Sequence, residues 1–76
     1  MKIQFNIKID EANDDTVYEI LINGLLFAIL TFSDIHFYNA DQFNINMSEQ
    51  MRILDLCWKE FERRDAWSDF EFETEL

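Results

Sequence analysis

The stretch Thr16-Val17-Tyr18-Glu19-Ile20-Leu21-Ile22-Asn23-Gly24-Leu25-Leu26-Phe27-Ala28-Ile29-Leu30-Thr31-Phe32 decides the fold. Two runs rich in β-branched and aromatic residues flank Asn23-Gly24. That dipeptide suits a type I′ turn, whose two central residues both need φ > 0. The spacing predicts a β-hairpin over 16–32. A two-residue loop sets Ile22 against Leu25, Ile20 against Phe27 and Tyr18 against Ile29 on one face. The other face then carries Leu21 with Leu26, Glu19 with Ala28, and Val17 with Leu30. A sheet with one wet side alternates apolar and polar residues, and neither face here does. The expectation is a hairpin covered on both sides. Val17, Leu21, Leu26 and Leu30 form the candidate dimer face, buried by a second copy or covered by the C-terminal segment.

Upstream, Ile3, Phe5, Ile7 and Ile9 alternate with Lys2, Gln4, Asn6 and Lys8. This period of two reads as a half-buried strand, pairing antiparallel with the first hairpin arm through an acidic turn over 10–15. Asp10, Glu11, Asn13, Asp14 and Asp15 make up that turn. Their offsets do not match a calcium loop, and no Gly supplies the sharp turn such loops use. A solvated turn is favoured, with Asp14 and Asp15 as a second acidic contact patch. Downstream, Ile35 and Phe37 set against His36 and Tyr38 suggest a short fourth strand, broken by Asn39-Ala40-Asp41-Gln42.

Asn46 followed by Glu49 fits a capping box, with Ser48 as a competing cap. A helix is predicted from about Met47 to Ala66, with Met47, Met51, Leu54, Trp58 and Phe61 as its apolar stripe. Asp55–Lys59 and Glu60–Arg64 are i,i+4 pairs in the favourable order. The fold class expected is α+β: an antiparallel sheet of three to four strands packed on one helix. The whole chain, 1–76, is one domain, with 67–76 an acidic strand or tail.

Charge is distributed unevenly. The formal net charge is −10, from 6 Lys+Arg against 16 Asp+Glu. Residues 1–46 carry a net −5, 47–66 only −1, and 67–76 a net −4 with no base. High charge with 49% hydrophobic residues argues for a folded core and against disorder. In Asp69-Phe70-Glu71-Phe72-Glu73-Thr74-Glu75-Leu76 the acids take every odd place. As a strand it has one apolar and one wholly acidic face, with carboxylates ~6.6 Å apart. One reading is an edge strand or frayed tail kept soluble by its charges. The functional reading is a binding strip, with Phe70 and Phe72 as anchors and Asp69, Glu71, Glu73 and Glu75 meeting Lys or Arg of a partner.

Several functions are disfavoured. An acidic surface repels nucleic acid and anionic lipid. The single Cys57 excludes an internal disulfide and a Cys-based zinc site, and suggests a reducing compartment. No apolar stretch is long enough to span a bilayer. A cytoplasmic location is expected, that of the host cell if the chain is phage-encoded. Cys57 reads as a small buried hydrophobe and His36 as a strand or turn residue. Asn46-Met47-Ser48 matches a glycosylation sequon but reads as a helix start. No catalytic constellation, cofactor or metal is indicated, so a basic protein partner is expected and enzyme activity is not.

In size, acidity and hairpin-plus-helix make-up, with acids at 67–76 and 10–15, the chain resembles small phage-encoded inhibitors of the anti-CRISPR and anti-restriction DNA-mimic types. These families share no common motif, so the resemblance assigns no role to an individual residue. It implies an inhibitor docking on a basic, nucleic-acid-handling protein. DNA presents roughly one charge per 3.4 Å on each strand. The tail alone reaches about half that density, so mimicry needs the 10–15 acids as a second row. The same physics suits an immunity or antitoxin protein neutralising a basic toxin. A homodimeric structural or adaptor module is the alternative of another class.

Overall fold

The computed structural model describes residues 1–12 and 14–75. The expected place of Asn13 in the acidic turn and of Leu76 at the end of the tail lies outside the described residues. The elements are β1 (Lys2–Asp10), β2 (Asp15–Ile22), β3 (Leu25–Leu30), β4 (Ile35–Phe37), α1 (Ala40–Phe43), α2 (Met47–Arg64) and β5 (Phe70–Glu73). The fold is α+β, an antiparallel sheet in the order β4-β3-β2-β1-β5 with one main helix. Five strands form where three to four were expected, because 70–73 adds to the free edge of β1.

The hairpin turns at Asn23 (φ 51°) and Gly24 (φ 85°), as the dipeptide demands. Asn23 also ties the turn to β1. Its N–H donates to the Lys2 carbonyl at 2.8 Å, and its Oδ1 accepts from the Lys2 N–H at 2.9 Å.

The register departs from the simple prediction. Ile22 faces Leu25 and Leu21 faces Leu26, but Ile20 faces Ala28, Glu19 faces Ile29 and Tyr18 faces Leu30. A β-bulge places Phe27 as the extra residue of β3. Phe27 and Ala28 are both fully buried. The strand therefore brings two successive side chains to the core, which strict alternation forbids. The segment after β4 secures the bulge: Asn39 Nδ2 donates to the Leu26 carbonyl and the Tyr38 N–H to the Phe27 carbonyl, each at 2.8 Å. The shift also corrects the candidate dimer face. Leu30 is buried against the helix side, and Ile29 takes its place beside Val17, Leu21 and Leu26.

The capping box at the start of α2 forms as predicted. Asn46 Oδ1 accepts from the Glu49 N–H at 2.9 Å, and Glu49 Oε1 accepts from the Asn46 N–H at 3.3 Å. Asn46→Ala should lower stability by about 1 kcal/mol, read as a lower urea midpoint at unchanged slope, while Asn46→Asp should stay near wild type. The helix ends at Arg64, two residues short of the prediction, with Asp65 left-handed at φ 49°. Its buried residues are Gln50, Ile53, Leu54 and Cys57, with Trp58 and Phe61 packed against the same core. Met47 and Met51, expected in the apolar stripe, are exposed. Burial follows 50, 53, 54 and 57, so the buried face is rotated away from both methionines.

Phe5 lies at the centre. Its ring centroid is 5.0 Å from Phe70, 5.5 Å from Tyr18, 5.6 Å from Phe61 and 5.8 Å from Trp58. One fully buried ring thus joins β1, β2, α2 and β5.

Candidate partner-binding surface

The sheet has one face against α2 and one open face. Register places Lys2, Gln4, Asn6 and Lys8 of β1 on the open face, next to Glu71 and Glu73 of β5. On the other side lie Val17, Glu19 and Leu21 of β2 and Ile29 of β3. The open face is therefore polar and acidic toward β5 and apolar over β2 and β3.

The tail is more structural than its sequence suggests. β5 pairs antiparallel with β1, setting Phe70 against Phe5 and Phe72 against Ile3. Phe70 and Phe72 are half-buried in the helix-side core, and the Arg64 guanidinium lies 5.1 Å from the Phe70 ring centroid. Those rings are committed to the core and do not cover the open hairpin face, as the sequence had suggested they could. Asp69 Oδ1 accepts the Ile7 N–H at 2.7 Å, continuing the β1–β5 ladder beyond its last residue pair. Glu71 pairs with Lys2 at 3.3 Å. These contacts give Asp69 and Glu71 partners in β1, although the sequence shows no base within 67–76. Glu73 and Glu75 are exposed, and neither makes an ion pair among the described residues.

The second acidic patch lies at the far end of the β1–β2 ladder, beyond the residues of β1 that pair with β5. Asp69 touches Ile7, and Asp10 follows three residues later along β1, ~10 Å at the usual strand rise. Asp10 and Asp15 end the β1–β2 ladder facing each other, and Asp14 is exposed with φ 50°. Asp10 thus extends the row of tail acids along β1, while Asp14 and Asp15 line a hollow on the far side of β2 with Leu30, Thr31 and Phe32.

Elsewhere three acids, Glu19, Asp55 and Glu60, meet bases. Lys8 bridges Glu19 at 3.0 Å, and Lys59 bridges Asp55 at 2.9 Å. Glu60 receives Arg63 at 2.8 Å and Arg64 at 3.0 Å. The Arg63 hydrogen bond, followed by that of Arg64, holds the Glu60 carboxyl below its ordinary range. Such exposed pairs contribute ~0–1 kcal/mol each, and they leave the helix close to neutral.

Cys57 is fully buried against the helix side, while His36 is exposed opposite Ile29. The two therefore do not meet as a nucleophile and base. Among the described residues, no three His, Cys, Asp or Glu side chains gather closely enough to hold a metal ion. No helix is long and apolar enough to cross a membrane. Against protein-family models, curated proteins and solved structures, the chain finds no match.

Three exposed apolar residues escaped the sequence reading: Phe32 (93% exposed), Trp67 (88%) and Ile9 (73%). Ile9 keeps the alternation of its strand and reads as core. Trp67 lies between the helix and the acid row, and Phe32 ends an apolar run. None carries a local sign that the helix fails to cover it.

Proposed function

We propose that this protein acts by binding and inhibiting a basic protein that handles nucleic acid, in the manner of the anti-CRISPR and DNA-mimic inhibitors it resembles. The observation that supports this is the acidic flank of the sheet. Among the described residues Glu73 and Glu75 make no ion pair, Glu71 pairs with exposed Lys2, and Asp10 extends the acidic row along β1. A surface evolved to hold phosphates offers many Lys and Arg at once, and complementary fields raise the rate of encounter. The protein acts as a ligand, without a reaction of its own. An immunity protein against a basic toxin would use the same flank.

The test is capture of the partner from the natural host at low salt, followed by its nucleic-acid binding or cleavage assay with the protein as competitor. A basic nucleic-acid-handling protein whose activity falls as this protein is added is the expected result. Recovery only of proteins without that chemistry would overturn the reading. In the captured pair, Glu71→Gln, Glu73→Gln and Glu75→Gln together should weaken binding at least tenfold, ~1.4 kcal/mol, and wild-type affinity should fall steeply with salt. Asp69 stays intact in this variant because its carboxylate holds the Ile7 N–H.

Val17, Leu21, Leu26 and Ile29 on the open face favour a second reading, self-association through β2 and β3. Sedimentation over a range of concentrations distinguishes it, because a charge-driven heterocomplex needs no change in the mass of the free protein.

A further inference from the structure

The helix leaves one end of its own side of the sheet uncovered. There Ile7, Ile9, Tyr18 and Phe61 line a hollow of about 340 Å³, with Trp67 and Asp65 on its wall. Thr16 and Tyr18 also line a second hollow of about 290 Å³, which reaches Phe32 and Asp14. The two hollows share Thr16 and Tyr18 as lining, and each has an exposed aromatic residue and an acid on its wall. Among the described residues, no Lys or Arg lines either hollow.

We infer that the first hollow is an arginine socket, taking a guanidinium side chain from a basic segment of the protein partner. Three features select that occupant. The floor is apolar and suits the methylene stem of a long side chain. The exposed indole of Trp67 offers the best aromatic face for a cation, and guanidinium stacks on such faces where ammonium does so less readily. Asp65 supplies a carboxylate for the fork of donors beside the indole. Arg64 over Phe70 shows the same stacking inside the molecule. Exposed Trp is also a residue type that dominates binding energy when an interface covers it. A second copy of the chain fits poorly, since each copy carries a net charge of −10. The socket rests on the reading above for its partner class, but it lies on the helix side of the sheet, whereas the tail acids lie on the open side.

The test uses nona-arginine and nona-lysine peptides of equal charge, titrated into the isotope-labelled full chain at fixed salt. Nona-arginine should bind at least fivefold tighter than nona-lysine and shift the amides of Ile9, Thr16 and Asp65 and the Trp67 indole N–H. Trp67→Ala, which leaves the charge unchanged at an exposed site, should remove that preference. Asp65→Asn keeps a residue type that tolerates the left-handed conformation and should weaken nona-arginine binding at least threefold. The Gln variant of Glu71, Glu73 and Glu75 should weaken both peptides alike and leave their ratio unchanged. Equal affinity for the two peptides, shifts confined to β5, or a Trp67→Ala variant with the preference intact would overturn the socket. These outcomes do not depend on whether the captured partner handles nucleic acid, so the two readings fail separately.

Discussion

Replacing Phe5 by alanine should lower the folding stability by about 5 kcal/mol, roughly half or more of the total. A domain of this length has ~4–11 kcal/mol of stability at the usual yield per residue. Truncating a buried Phe costs ~3–5 kcal/mol, the higher end where the cavity cannot collapse. Phe5 is fully buried and contacts four other rings drawn from β2, α2 and β5. None of those elements can move in to fill the space without leaving the others, so the high end applies. A urea midpoint lowered in proportion, at an unchanged slope, would report the outcome. Phe5→Leu keeps most of the volume and should retain a cooperative transition. If Phe5→Ala unfolds within 1 kcal/mol of wild type, the ring is not the centre of the core.

The second large effect concerns Cys57. Burial pushes its thiol up from 9.0 to about 12, and the residue has no exposed surface. The thiolate is the reactive form, and three pKa units reduce it about a thousandfold. A thiol reagent at pH 8 should therefore label the folded protein at least a thousandfold more slowly than the protein in denaturant. Labelling then follows opening of the core. Phe5→Ala should speed labelling by raising the open population in step with its lost stability, while Trp67→Ala should leave the slow rate unchanged. Rapid labelling of the native chain would mean that the space between α2 and the sheet admits solvent.

Particular residues show why the sequence revealed some features and hid others. Asn23-Gly24 announces its turn because few other pairs adopt two positive φ angles, and Asn46 with Glu49 announces its cap because both hydrogen bonds are local. The bulge at Phe27 carries no such mark. Leu25 to Leu30 is apolar at every place, so alternation has no contrast with which to fix the register, and Asn39, which holds the bulge, lies 13 residues from the carbonyl it contacts. Met47 and Met51 fit an apolar stripe by spacing, but the sheet determines which helical face is buried. The acids of the tail were legible as a row. Their ties to Lys2 and Ile7 were not, because a local pattern does not show that residues 70–73 return to the strand that begins the chain.

That return has a consequence for the order of synthesis. β1 becomes an interior strand only when β5 arrives, sixty residues after Asp10. At ~5–20 residues per second, the ribosome takes about 3–12 s to make those sixty residues. For that interval a nascent chain carries an open strand edge beside the ring of Phe5, a template for mispairing with neighbouring chains. Lys2 and Lys8 stand on that strand from the start, and their charges disfavour such pairing until the final strand closes the sheet.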